Sequence, residues 1–203
     1  DPCTDGWAWA RENQATSVGD AWARLPRADW MLWLAEAFGV ELDAELLRGF
    51  AFECADRAVR IHAVAALRSA GLTAEADRLA GVAAIIDVPT ARAAAEAAGA
   101  ARVAAVAAAR DAARAAESAG AAESAAGAAE SATWAAESAT WAAVRVVRVA
   151  AEAAAGTAAW AARDAAWAAE SAAWAAESAW AAWAAERLWQ ADRLRTLFPE
   201  VGR

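Results

Sequence analysis

The sequence has no lysine and no tyrosine, and it holds one histidine, one methionine, two cysteines and four prolines in 203 residues. Each shortage narrows what the chain can be. All 19 basic residues are arginines, interspersed with 27 acids for a net charge of −8, so no basic face exists to track phosphates and no nucleic-acid partner is expected. The missing Lys and Tyr read as a bias toward GC-rich codons. No run of 18 apolar residues is free of charge, so no membrane span is expected. Cys3 and Cys54 allow at most one disulfide, and buried thiols are the expected state. There is no Gly-rich phosphate loop, no G-x-S-x-G and no H-E-x-x-H, so neither an enzyme nor a cofactor is expected. The lone His62 sits in an apolar helical stretch without a Cys/His/Asp cluster nearby, and reads as a core or boundary residue. Between Pro89 and Pro199 there is no proline at all.

What fills that proline-free interval is a repeat. From Arg114 to Trp189 the chain reiterates the heptad W-A-A-E-S-A-A. At about 100° per residue, Trp, Glu and Ser share one helix face and the remaining Ala positions form a broad smooth face behind them. Sixty per cent of residues are apolar, most of them Ala, which bury little area each, so the 13 Trp must supply the large contacts. Trp134, Trp141, Trp160, Trp167, Trp174 and Trp183 are the candidate interaction residues. Gly120 and Gly127 occupy the Trp slot ahead of Glu123 and Glu130 and read as close-packing positions. One uninterrupted helix would reach about 160 Å, so breaks are expected. The main turn falls near 153–157, where Gly156 coincides with a phase jump of the stripe, and a weaker one near 99 or 119.

Two readings of the ladder stay open: an intrachain core, or an interface between copies. The Glu positions, about 10 Å apart along a helix, cannot share a metal within one chain, and read as a solvated face with some carboxylates accepting indole N–H groups. Regularly spaced Thr, as an ice-binding face needs, is confined to Thr133 and Thr140.

The N-terminal part reads differently. Thr4 or Asp5 caps a first short helix with Trp7 and Trp9, and Ser17 with Asp20 forms a capping box ahead of Trp22 and Leu25. The stretch ADWMLWLAEAFG places Trp30, Leu34 and Phe38 at helical spacing and stops at Gly39. Asp43 caps a helix running to Gly71 whose expected buried stripe is Leu47, Phe50, Cys54, Ile61, Val64 and Leu67, with Arg48, Arg57, Arg60 and Arg68 facing water. Gly49 inside it suggests close approach of a neighbour. Thr73 caps a brief helix to Leu79, AAIID is the only strand-like run, and Asp87, Pro89 and Thr90 open the next helix.

AWARLPRADWMLWLAEAFG at 21–39 and FECADR at 52–57, with Ala191, Asp192, Arg195 and Pro199 near the end, resemble a family of alanine-rich proteins of phage and bacterial genomes labelled immunity proteins. The matching residues are Trp22, Arg27, Asp29, Trp30, Trp33, Glu53 and Cys54; Leu25 stands where relatives often carry cysteine, and Trp fills the repeat slot that is frequently Tyr. The resemblance implies a cytoplasmic helical protein that binds and neutralises a partner, and it names no catalytic residue. A chain starting at Asp1 also leaves removal of a leader, and hence secretion, open.

The sequence thus predicts an all-α protein. A small N-terminal helical subdomain covers 1–88, and alanine-rich helices packed as a hairpin or bundle cover 89–203. The expected function is non-catalytic self-association, as oligomer or filament, through the repeat; the alternative is a monomeric immunity-type binder of a toxin.

Overall fold

A computed structural model of the chain describes residues 2–119 and 180–202. Every regular element among the described residues is helical. The first is α1, Pro2–Glu12. It starts ahead of Thr4 and Asp5, which therefore lie inside it and do not cap it. Gln14 follows with φ 53°, a left-handed residue reversing the chain. Helix α2, Val18–Arg24, starts as its sequence says: Ser17 Oγ accepts the Asp20 N–H at 3.0 Å, and Asp20 Oδ2 accepts the Thr16 N–H at 3.0 Å.

Helix α3, Ala28–Ala37, ends at Gly39, whose φ of 64° lets the Val40 N–H reach back to the Ala35 carbonyl at 2.8 Å. Its buried face differs from the expected one. Met31, Leu32, Leu34 and Ala35 enter the core, Trp30 and Trp33 lie at its margin, and Phe38 is 49% exposed.

Helix α4, Ala44–Arg57, is capped by Asp43, whose Oδ1 accepts the N–H groups of Glu45 and Leu46 at 2.8 and 3.0 Å. It continues into a π-helical segment, Ala58–Ala63, and then into α5, Val64–Ser69. Besides Leu47 and Val64, buried as expected, the buried residues of this run come in pairs four apart: Phe50–Ala51, Cys54–Ala55, Ala58–Val59, His62–Ala63 and Ala66–Leu67. Four residues overshoot an α-turn by about 40°, so over four such steps the stripe would wind about 160° around a pure α-helix. The wider π turn takes up the excess. Ile61, an expected core residue, is thereby left 43% exposed; His62, seven residues after Ala55 and eight after Cys54, stays on the buried face. Gly49 is exposed and a Cβ there meets nothing within 4 Å, so no neighbour approaches it.

Helix α6, Thr73–Ala80, begins at Thr73 with Leu72 in the cap position and no side-chain cap, so Thr73 is not the cap. Residues 83–86 pass without regular structure, and the Ile85 N–H is held by Asp56 Oδ1 at 3.0 Å. Helix α7, Val88–Ala119, is opened by Asp87, whose Oδ1 accepts the Thr90 N–H at 2.9 Å. It runs unbroken through Gly99, so the expected break there is absent. Its buried positions, Ala91, Ala94, Ala98, Ala101 and Ala105, are all alanine at three-and-four spacing, and they lay a smooth face on α6 and the π segment.

The last element, α8, Trp180–Leu197, returns to pack on α3 and α4. The expected turn near 153–157 and the hairpin or bundle packing of the repeat lie outside the described residues. One core joins the pieces: Trp22, Leu25, Met31, Phe50, Leu67, Leu79, Leu194 and Phe198 are all fully enclosed. Trp22 and Phe198, from opposite ends of the chain, meet edge to face with centroids 6.5 Å apart. The C-terminal helix thus shares the core of the N-terminal helices.

A candidate functional site in two parts

The first part is an aromatic cleft of about 320 Å³ between α1, α2 and α3. Its walls are Trp7, Trp30, Trp33 and Phe38, and small residues such as Gly6 and Ala10 form its α1 side. Gly6 is where α1 meets α3: a Cβ there would lie 3.4 Å from the Trp33 ring. Trp7 packs edge to face on Trp33 at 6.0 Å and against Phe38 at 5.9 Å, yet Trp7 stays 47% exposed. Half-exposed aromatics lining a concavity are typical of binding surfaces.

The motif R-x-D-W at the start of α3 builds the back of this cleft. Arg27 donates from Nε and Nη2 to the two oxygens of Asp29 at 2.8 and 2.5 Å. Asp29 is buried in the first helical turn, where the helix dipole favours an anion. The same guanidinium lies over the Trp30 ring, 4.6 Å from its centroid. Trp30 is thereby fixed in orientation, with its indole Nε1 buried and without a partner among the described residues.

The second part is a buried polar clamp that seats α8. Glu186 lies three residues after Trp183, in the slot the repeat gives to Glu, but its side chain is 0% exposed. The solvated-face reading therefore fails at this carboxylate. Its Oε2 accepts from Arg57 Nε at 3.0 Å and Nη2 at 2.7 Å, and faces His62 Nε2 at 3.1 Å. Its Oε1 accepts from Gln190 Nε2 at 3.1 Å. The Trp189 ring covers the Arg57 guanidinium at 4.0 Å. Burial alone pushes the Glu186 carboxyl up; the hydrogen bonds from His62 and Arg57, with the charge of Arg57, outweigh it and hold the group below the ordinary glutamate range. The His62 Nδ1 is buried with no partner among the described residues. Arg57, expected to face water, is instead the main partner of Glu186.

Further contacts fasten the same helix. Arg193 donates from Nε and Nη2 to the two oxygens of Glu53, a contact that raises the Arg193 pKa. Arg195 donates to the backbone carbonyls of Trp22 and Leu25, and to Asp192 Oδ1 at 2.7 Å. The motif blocks at 22–33, 53–54 and 191–199, far apart in sequence, are thus brought together in one head. Cys54 lies in its core, fully buried.

Of the other sequence-derived candidates, Trp134, Trp141, Trp160, Trp167, Trp174, Gly120 and Gly127 lie outside the described residues, as does the side chain of Trp183. Among the described residues no group of three or more His, Cys, Asp or Glu side chains is placed to hold a metal ion, and no helix is long and apolar enough to cross a membrane. Sequence reasoning reads Glu186 only as one more position of the repeat, sends Arg57 to water, and places Trp7 and Phe38 on helices without giving them a role in a site. The four-residue spacing of the pairs from Phe50 to Leu67 is the available signal for the π turn that leaves Ile61 exposed. Comparison with protein-family models, with curated proteins and with solved structures finds no match to this chain.

Proposed function

We propose that the protein is a non-catalytic helical interaction protein that self-associates through its Ala/Trp heptad repeat. One observation carries this reading. The interval 120–179, which holds nearly all of the repeat, lies in sequence between α7 and α8, and α8 is fixed to the head by the buried Glu186–Arg57 pair and by Glu53–Arg193. A head that secures both ends of a Trp- and Ala-rich interval serves to present it. Alanine faces allow backbones to approach closely, and tryptophans at heptad spacing supply rigid anchors for a second copy.

Static light scattering over a concentration series tests this. The chain is expected to form a defined oligomer or filament, and the double substitution Trp167→Ala, Trp174→Ala to reduce it toward monomer with its helicity kept. Loss of helicity on that substitution would instead assign the Trp ladder to an intrachain core.

The aromatic cleft favours a second reading, a monomeric binder of the immunity type that engages a toxin through Trp7, Trp33 and Phe38. The family resemblance at 21–39 supports it, since that stretch supplies three of the cleft's walls. A monomer at high concentration whose capture of a partner is lost on Trp7→Ala would select it over self-association.

A further inference from the structure

Helix α1 carries, one turn from the aromatic cleft, a cation that the head does not use. Of the arginines in the first 48 residues, Arg24 pairs with Asp20, Arg27 with Asp29 and Arg48 with Glu45. Arg11 is exposed and pairs with nothing among the described residues. It follows the half-exposed Trp7 by four residues on α1, which puts the two on one face of the helix about one turn apart. The cleft itself, about 320 Å³ and walled by Trp7, Trp30, Trp33 and Phe38, suits one flat, bulky ring. An occupant that satisfies both features carries an aromatic ring and, one helical turn from it, a carboxylate.

The chain itself holds that combination. W-A-A-E recurs at Trp134–Glu137, Trp167–Glu170 and Trp174–Glu177, with a fourth occurrence at Trp183–Glu186. The head already takes the carboxylate of the fourth: Glu186 is seated on Arg57, and the Trp189 ring covers that guanidinium. An arginine close to an indole is thus the means by which this head receives a glutamate of the repeat, and Arg11, one turn from Trp7, offers such a pair without its acid. We propose that the cleft docks a W-A-A-E segment from the repeat of a second copy, its indole among the cleft's rings and its Glu on Arg11. The proposal rests on the self-association reading and names the surface that the repeat meets. With a net charge of −8 two copies repel at long range, so their contact depends on a local cation of this kind.

The test is light scattering of the full chain across a concentration series, with helicity followed by circular dichroism. Arg11→Glu is expected to raise the concentration for half-association by roughly tenfold or more with helicity unchanged. Arg92→Glu, an equal change of charge at an exposed site on α7, is expected to leave that concentration where it is. Reversing the partners, with Glu137→Arg, Glu170→Arg and Glu177→Arg together, is expected to weaken association of the parent and to restore it in the chain carrying Arg11→Glu. Equal effects of Arg11→Glu and Arg92→Glu, or no restoration by the reversed repeat, overturn the proposal and leave the cleft to another occupant while self-association stands. A parent chain that stays monomeric at every concentration overturns the self-association reading itself, and this proposal with it.

Discussion

Glu186 shows how one residue can hold distant parts of a fold. Its carboxylate accepts from Arg57 and Gln190 and faces His62, so removing it leaves a largely enclosed guanidinium and an imidazole without their anion. Glu186→Ala is expected to destabilise the protein by about 3 kcal/mol, measured by urea denaturation. The pH dependence follows from the direction of its shift. Its folded-state pKa lies below the ordinary value of 4.5, so its contribution is fully present above that value and is lost as pH falls through the lowered folded-state value. Acid titration followed by amide exchange in 180–197 is expected to show α8 loosening only below about pH 4.5, and the Glu186→Gln variant to lack that dependence. Two glycines make the opposite case. Gly49 and Gly99 lie inside helices, and a methyl group added at either would meet nothing within 4 Å, so Gly49→Ala and Gly99→Ala are each expected to stabilise by about 1 kcal/mol in thermal melts. At this scale the sequence is readable where the interaction is local. Ser17, Asp43 and Gly39 perform the capping roles that their types and positions indicate, because each bonds within four or five residues of itself. Arg57 is not readable in that way: its partner is 129 residues away, and nothing near it distinguishes it from a solvated arginine.

Among the elements, helix type is legible and helix face is not always so. The 44–69 run reads as one α-helix from its capping residue to Gly71, and the chain does stay helical over that span. Its core pattern, however, repeats every four residues, and an α-helix can follow such a stripe only by inserting wider turns. Reading the run at α spacing alone puts Ile61 inside, and the pairs at 54–55, 58–59, 62–63 and 66–67 hold the correction. In α3 the tryptophans sit at the margin because the core face is set by Met31, Leu32 and Leu34, and Trp30 and Trp33 are held by Arg27 and Gly6. The docking of α8 rests in part on Arg195, which donates to the Trp22 and Leu25 carbonyls at the end of α2. Arg195→Met removes those charged donors while keeping the aliphatic stem, and is expected to cost about 2 kcal/mol. Hydrogen exchange is expected to accelerate in 180–197 before it does in α4.

For the molecule as a whole, the all-helical class is legible from alanine content, periodicity and the lack of strand-forming runs. The closing of the chain ends onto one core is not, because Trp22 and Phe198 reveal their contact only in three dimensions. That closure gives the repeat its setting. It is inserted between α7 and α8, both anchored in the head, and its Trp and Ala faces are the surfaces proposed to meet those of another copy. The measurement that tests this most directly is multi-angle light scattering behind size exclusion, on the parent chain and on the variant carrying Trp167→Ala and Trp174→Ala. Self-association through the repeat predicts a mass that is a multiple of 20.9 kDa for the parent, and a variant near 20.9 kDa with unchanged helicity. A parent chain that elutes at 20.9 kDa at every concentration would contradict it.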